Sequence, residues 1–174
     1  MRVTVAAGHG AGDPGAVRNG IAERDLMTEL RDIVALKVRD AGAFVATDGE
    51  RGSNLPLSFA ISLVKGSDLA VELHTNAFEN PAARGVEVVA PARKKALAQA
   101  LARAVASVLG SPVRGDGGWI DESRTARGRA GFVRAGGLIL ETFFLSNAQE
   151  LATYQAKKWL VAQAIADTLL KGPK

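Results

Sequence analysis

Two histidines and a glutamate are the residues of this 174-residue chain best placed for chemistry. His9 and His74 are its only histidines, and each follows an apolar run that predicts a buried strand. Glu141 follows a third such run, Leu138-Ile139-Leu140. Because open α/β sheets place ligand crevices at the carboxyl ends of their strands, we expect these three side chains to meet at one edge of a sheet.

A catalytic zinc site is one chemistry that this set supports. Such a site takes three His or Asp/Glu ligands and keeps one position open. The chain has no cysteine, so both histidines and one carboxylate would be needed. Glu23, in the opening turn of the first predicted helix, is the preferred carboxylate. Asp13 is the alternative, although Asp13-Pro14-Gly15 is typical of a turn.

Each residue also has a simpler interpretation when taken alone. A histidine at a strand end is more often a hydrogen-bonded residue of the partly buried core. Glu23 alone would be explained by the helix dipole, which favours a carboxylate in the first turn. Glu141 is harder to explain in this way, because it lies between three aliphatic residues and Phe143-Phe144. A partly desolvated carboxylate of this kind suits proton transfer.

The elements that must position these residues alternate between strands and helices. Apolar runs predict strands at 3–7, 43–47, 69–74, 86–89 and 138–140. Apolar stripes predict a helix that ends at Gly42 and further helices over 57–64, 92–109 and 148–170. The segment 111–137 is rich in Gly and Arg and yields no clear element. The alternation predicts an α/β fold: a single three-layer α/β/α domain over 1–174, with helices on both faces of a mainly parallel, twisted sheet.

Composition limits the partners. With 22 basic and 18 acidic residues, the net charge of +4 mildly favours an anionic partner such as nucleic acid, an anionic membrane or a cell-wall polymer. Nucleic acid is disfavoured because no aromatic residues interleave the arginines of 124–129. That segment is either a loop that contacts substrate carboxylates, through residues such as Arg127 and Arg129, or a solvated basic loop. No apolar run has the length of a signal peptide or a membrane span, so we expect a cytoplasmic protein that does not insert into membranes.

Four sequence blocks follow one another along the chain. They are Gly8-His9-Gly10-Ala11-Gly12-Asp13-Pro14-Gly15-Ala16, Glu23, His74-Thr75-Asn76-Ala77, and Glu141-Thr142-Phe143-Phe144-Leu145-Ser146-Asn147. Together they resemble the signature of the N-acetylmuramoyl-L-alanine amidases of the amidase-3 type. The resemblance implies a sheet of about six strands and one Zn²⁺ ion held by His9, Glu23 and His74, with Glu141 as the catalytic glutamate. It also implies hydrolysis of the lactyl–L-Ala amide bond of peptidoglycan.

The resemblance further suggests a biological role. Only 78–84 separate the third block from the next predicted strand, so the long inhibitory insertion of some relatives has no counterpart. We expect a monomeric, phage endolysin-like catalytic domain without a cell-wall-binding domain, which waits in the host cytoplasm until the membrane is breached and then degrades the wall. A bacterial cell-wall amidase without its export signal is the alternative. Asn76, Arg127 and Arg129 are the expected substrate contacts.

Some residues depart from the family pattern or remain unassigned. Phe143 replaces a usual Gly, and Glu72 replaces a usual Ser; strand alternation places Glu72 on the opposite sheet face from Leu73, and we expect it not to bind the metal. The pattern assigns no role to Asp116, Asp121 and Glu122. A different class of function, a phosphate- or nucleotide-binding protein that uses the Gly8–Gly15 loop, remains as an alternative, although this loop lacks both a G-x-G-x-x-G spacing and a P-loop lysine.

Overall fold

The computed structural model describes residues 1–124 and 131–172. The strands of these residues are β1 (Arg2–Ala7), β2 (Val17–Arg18), β3 (Ile21–Ala22), β4 (Phe44–Thr47), β5 (Leu69–Asn76), β6 (Glu87–Ala90), β7 (Trp119–Asp121) and β8 (Leu138–Phe144). The α-helices are α1 (Glu23–Asp40), α2 (Leu57–Val64), α3 (Lys95–Leu109), α4 (Gly131–Arg134) and α5 (Ala148–Lys171). Short 3₁₀ turns lie at Ala92–Lys94 and Glu122–Arg124.

Six strands form one sheet in the order β4-β1-β5-β8-β6-β7. Every neighbouring pair is parallel except β6 and β8, which run antiparallel. The three central strands β1, β5 and β8 are buried along nearly their whole length, as expected for parallel strands covered on both faces. The carboxyl ends of these three strands therefore meet at one edge, which confirms the predicted arrangement.

The two faces of the sheet are covered unequally. The long helices α1, α3 and α5 pack on one face and bury the main core, which includes Val5, Leu73 and Leu140. The short helices α2 and α4 cover part of the other face with a smaller cluster around Ala60 and Phe132. This second face is left open near the carboxyl ends of the central strands, and the polar side chains of β5 and β8 project there.

The fold prediction is confirmed: the domain is α/β, with a six-stranded, mainly parallel sheet and helices on both faces. The predicted helix over 57–64 has the observed bounds, and the other helices differ at their ends by a few residues. Two features were missed. The loop after His9 contains the two-stranded hairpin β2–β3, and the unassigned segment 111–137 contains β7 and α4.

Candidate active site

The loop that follows β1 places His9 beside β5. The amide of Gly8 donates to the Leu73 carbonyl at 2.7 Å, which extends the pairing of the two strands by one residue. His9 itself has a left-handed backbone, with φ of 64°. Because this conformation is unfavourable for a residue with a Cβ, other contacts must hold it.

A buried network holds the backbone around His9. The Asn54 side-chain amide donates to the carbonyl oxygens of Ala7, at 2.9 Å, and of His9. Arg31 is fully buried and donates to Asp48 at 2.8 Å and to the Asn54 side-chain oxygen at 3.2 Å. Asp48 in turn accepts a hydrogen bond from the Ala7 amide. The position of His9 therefore depends on residues from α1 and from the loop after β4.

His9, Glu23 and His74 converge on one point. One potential ligand atom from each lies within 4.8 Å of the others. Nε2 of His9 is 3.2 Å from Oε2 of Glu23, and Nδ1 of His74 is 3.1 Å from Oε1 of the same carboxylate. The backbone amides of Ala16 and Thr75 also donate to Glu23, at 3.0 and 2.9 Å, and so fix its orientation.

Two glycines make this convergence possible. A Cβ on Gly15 would lie 2.6 Å from the His9 ring and 2.7 Å from the Glu23 carboxylate. A Cβ on Gly8 would lie 2.2 Å from the His74 ring. All three distances are far below van der Waals contact, so a side chain at either position would push the histidines and the glutamate apart.

Each histidine has a second carboxylate at its other ring nitrogen. Asp13 Oδ2 is 2.8 Å from Nδ1 of His9, while Oδ1 of the same side chain accepts from the Gly15 amide, as in an Asx turn. Glu72 Oε2 is 3.1 Å from Nε2 of His74. Asp13 and Glu72 therefore lie outside the convergent trio, and the turn predicted at Asp13 is confirmed.

The close carboxylates change the protonation of both rings. Burial disfavours the charged form of His74, but hydrogen bonds to Glu23 and Glu72 raise its pKa to about 10. The Glu23 carboxylate, 3.2 Å from Nε2 of His9, also raises the pKa of His9, against the effect of burial. Burial by itself would raise the pKa of Glu23, but the hydrogen bond from His74 and the close His9 ring hold it well below its usual range. A metal ion that binds here must therefore displace protons from the histidines.

Glu141 lies next to the trio on β8. It pairs directly with His74 across the parallel β5–β8 ladder, and with Glu87 across the antiparallel β6–β8 ladder. Its side chain is half-buried, and the next residue, Thr142, donates to the His74 carbonyl at 2.8 Å. Glu141 therefore faces the same open part of the sheet as His74. It is not a member of the cluster whose atoms could jointly hold an ion.

Two hollows meet at His9 and form a groove. The smaller has a volume of about 330 Å³ and mainly apolar walls, which include Leu55, Leu57, Phe132 and Ile139. The larger, of about 670 Å³, is lined by charged and polar groups that include Asn76, Glu87, Arg114, Arg124 and Glu141. An extended substrate that crosses His9 would therefore meet an apolar surface on one side and a charged surface on the other.

The structure brings most of the predicted site residues together. His9, Glu23, His74 and Glu141 share the groove, and Asn76 lines its larger hollow with its amide donating to Glu87 at 3.1 Å. Arg127 and Arg129 lie outside the described residues. Phe143, which departs from the family pattern, is buried in the main core and stacks on Tyr154 at 4.5 Å, away from the groove.

Sequence analysis missed Glu87 and Arg114 in the larger hollow. They form an ion pair of 2.8 Å, and the Arg114 guanidinium lies over the Phe144 ring. A glutamate at the start of the apolar strand Glu87–Ala90 was the signal available for Glu87. No comparable signal marked Arg114 in the sequence, because the segment that contains it shows no apolar periodicity. Of the residues that the pattern left unassigned, Asp116 and Asp121 line a separate hollow beside Trp119.

Comparison with known proteins agrees with this geometry. The sequence pattern of the N-acetylmuramoyl-L-alanine amidases of the amidase-3 type matches residues 3–171. The chain belongs to this family. A search with the sequence of this chain found no match among curated proteins. A solved structure from Neisseria meningitidis, assigned as an N-acetylmuramoyl-L-alanine amidase, is 39% identical with a TM-score of 0.91, and the match covers 99% of this chain and 97% of that one.

More distant structures share the amidase fold. The catalytic domain of CwlV from Bacillus (Paenibacillus) polymyxa var. colistinus is 26% identical, with a TM-score of 0.77 and complete coverage of both chains. The catalytic domain of the CD27L endolysin, which targets Clostridia difficile, is 21% identical with a TM-score of 0.73, and the match covers 100% of this chain and 99% of that one. Among the described residues of the amidase, none of the helices is long and apolar enough to cross a membrane.

Proposed function

We propose that this amidase is a zinc enzyme that hydrolyses the amide bond between the lactyl group of N-acetylmuramic acid and L-alanine in peptidoglycan. The observation that most supports the proposal is the convergence of His9, Glu23 and His74 within 4.8 Å, with Glu141 beside His74 in the sheet. The family of the chain agrees with peptidoglycan as the substrate.

The residues fit a zinc ion. Two imidazoles and a carboxylate form a donor set that catalytic zinc commonly uses, and three protein ligands leave a position open for the reaction. Nε2 of His9 is buried and, within 1–124 and 131–172, has no hydrogen-bond partner of good geometry, although it faces the Glu23 carboxylate. The glycines at 8 and 15 leave the space that the converging side chains need.

A zinc ion in this position would polarise the scissile carbonyl and make the attacking water more acidic. Glu141 accepts the proton of that water as its oxygen bonds to the carbonyl carbon. As the carbon–nitrogen bond breaks, Glu141 delivers the proton to the amide nitrogen, which leaves as the amino group of L-alanine. This role is supported by the pairing of Glu141 with His74 on the neighbouring strand and by its absence from the cluster of His9, Glu23 and His74.

The two hollows suit the two parts of the substrate. The stem peptide carries carboxylates, which arginine binds well, and the larger hollow contains Arg114 and Arg124. We place the stem peptide there, with Asn76 at its wall, and propose Arg127 and Arg129 as further contacts. The sugar and lactyl groups then occupy the smaller, more apolar hollow.

We also propose a lytic role, as in a phage endolysin, for residues 1–174 acting as one monomeric catalytic domain. Two features support this. Residues 78–86, between β5 and β6, contain no helix that could cover the site. Both hollows of the groove are also partly open to solvent. On this proposal the enzyme remains in the host cytoplasm until the membrane is breached.

The test combines metal analysis with product analysis. The purified protein should contain about one zinc per chain, as expected for a single three-ligand site, and chelation should abolish activity. Digested sacculi should release glycan-free peptides with new L-alanine amino termini and no new reducing ends. Activity in the metal-free enzyme would contradict the zinc mechanism, and new reducing ends without free alanine would indicate a glycosidase.

The lytic role needs a separate experiment. Cells that express the protein in the cytoplasm should grow until the inner membrane is permeabilised, and should then lyse. The control is the Glu141→Gln variant, which should not lyse them under the same treatment. Lysis of cells with an intact membrane would contradict the proposed compartment.

A further inference from the structure

Glu72 is a buried carboxylate that the proposed reaction does not use. It lies on β5 two residues before His74, so its side chain projects from the same face of the sheet. Its neighbours in the sheet, Ala6 on β1 and Ile139 on β8, are both apolar. Only 5% of the Glu72 side chain is exposed.

A buried carboxylate is costly unless it is paired. Within 1–124 and 131–172, neither Lys nor Arg forms an ion pair with Glu72, and its partner is Nε2 of His74 at 3.1 Å. The strand could have carried an apolar residue at this position at lower cost. The contact with His74 is therefore the feature that requires an explanation.

The two nitrogens of the His74 ring face different groups. Nδ1 points toward Glu23 and the convergent cluster, whereas Nε2 points toward Glu72. A neutral imidazole carries one proton, and the hydrogen bond that one nitrogen donates determines which nitrogen is free to bind a metal. The absence of a side chain at Gly8 lets the ring pack closely on the backbone, which restricts its tilt.

We infer that Glu72 is a positioning residue that keeps the proton of His74 on Nε2, so that Nδ1 is available to the metal. The inference rests on the proposed zinc site. Such outer carboxylates typically contribute 10- to 100-fold to metal affinity. His9 has the opposite arrangement, since Asp13 faces its Nδ1 and leaves Nε2 toward the cluster. The two histidines should therefore bind zinc through different ring nitrogens.

The experiment compares zinc affinity in three variants by competition with a chromogenic chelator. Glu72→Ala removes the acceptor and should weaken zinc binding about 10- to 100-fold. Glu72→Gln keeps a neutral oxygen acceptor and should recover part of that loss. Glu150→Gln is the matched control: Glu150 is also buried and accepts hydrogen bonds, but from Gly85, Ser111 and Phe144. The zinc affinity of Glu150→Gln should equal that of the wild type.

Nitrogen NMR of the zinc-loaded protein provides a second readout, independent of activity. With two histidines, the wild type should show one ring bound through Nε2 and one through Nδ1, the latter with a slowly exchanging Nε2 proton. In Glu72→Ala that proton should exchange faster. If the wild type binds zinc and Glu72→Ala matches it in both affinity and ring signals, the inference is overturned while the zinc site stands. If the wild type binds no zinc, the proposed function fails and the inference fails with it.

Discussion

Glu141 lies directly beside His74, one strand away, in the parallel pairing of β8 with β5. The sheet itself therefore sets the separation between the proposed base and a proposed metal ligand. Because both strands are buried and paired on both sides, neither residue can shift along its strand without breaking the ladder. Substitution of Glu141 should therefore lower turnover alone, whereas substitution of His74 should lower zinc content and turnover together.

Replacement of Glu141 by Gln should remove catalysis and leave the metal in place. The amide keeps the size and much of the hydrogen bonding of the carboxylate, but it cannot accept a proton from water. Positioned acid–base groups contribute roughly 10²–10⁴-fold to the rate, so kcat should fall by a factor within that range or by a larger one. Zinc content, measured on the same sample, should not change. Loss of the metal in Glu141→Gln would identify Glu141 as a ligand instead.

Replacement of His74 by Ala should have the opposite signature. One of three ligands disappears, so zinc content and activity should fall together, as measured by metal analysis and turnover. Addition of excess zinc should restore at most part of the activity. A His74→Ala protein that retained full zinc content would remove His74 from the proposed site.

Gly15→Ala should disrupt the site much more than Gly20→Ala. Both glycines have positive φ, 66° and 77°, so both substitutions carry a similar backbone cost of about 1–2 kcal/mol. A Cβ at Gly20 meets nothing within 4 Å, whereas one at Gly15 collides with His9 and Glu23. Thermal unfolding should show a loss of stability in both variants, and a larger loss in Gly15→Ala because of this collision. Zinc affinity should fall at least about tenfold only in Gly15→Ala, and equal affinities would contradict the geometry.

Asn54→Ala should weaken zinc binding through the backbone of His9. The substitution removes the donors to the Ala7 and His9 carbonyls, and one such hydrogen bond contributes about 1 kcal/mol. Zinc affinity should therefore fall roughly five- to tenfold, since 1.4 kcal/mol corresponds to a factor of ten. Asn80→Ala is the control, because exposed Asn80 accepts its hydrogen bonds from Ala82 and Ala83 of its own turn. Calorimetric zinc titration of both variants distinguishes them.

As the pH rises, the stability of the metal-free protein should fall, whereas its affinity for zinc should increase. In the metal-free protein the pKa of His74 rises from 6.5 to about 10, so the stability from its charged form is complete below pH 6.5 and is lost as pH approaches 10. Zinc must displace the same proton, so its affinity should increase over that interval. Unfolding temperatures of the metal-free protein and zinc titrations, both from pH 6.5 upward, test this. The metal-free His74→Ala protein should show a weaker decline, and a stability that rose with pH would contradict the assignment.

Much of this site was predictable because strand ends and sequence blocks mark it. His9, His74 and Glu141 each follow a buried apolar run, and parallel strands bring such positions to one edge. Glu23 was preferred to Asp13 as the carboxylate because Asp13-Pro14-Gly15 is typical of a turn, and the Asp13 side chain does accept a hydrogen bond from the Gly15 amide. The helix over 57–64 was also predictable, because Pro56 precedes it and most of its residues are apolar.

The parts that could not be predicted depend on contacts between distant segments. Arg114 reaches Glu87 from a loop without periodicity, and only the folded chain places that loop beside β6. Asn54 holds His9 across 45 positions of sequence. Glu72 was correctly assigned to the face opposite Leu73, but strand alternation gives no information about which ring nitrogen its carboxylate meets.

The unequal covering of the sheet also sets which parts of the molecule open most easily. Local unfolding costs least where few apolar contacts must be broken, and α2 and α4 are short and share a small cluster. The proposed ligands instead lie on or beside β1, β5 and α1, which belong to the main core. Amide hydrogen exchange should therefore be rapid along the wall formed by α2 and α4, and slow beneath the ligands. We therefore expect the groove to widen around a bulky glycan while the proposed zinc cluster keeps its shape.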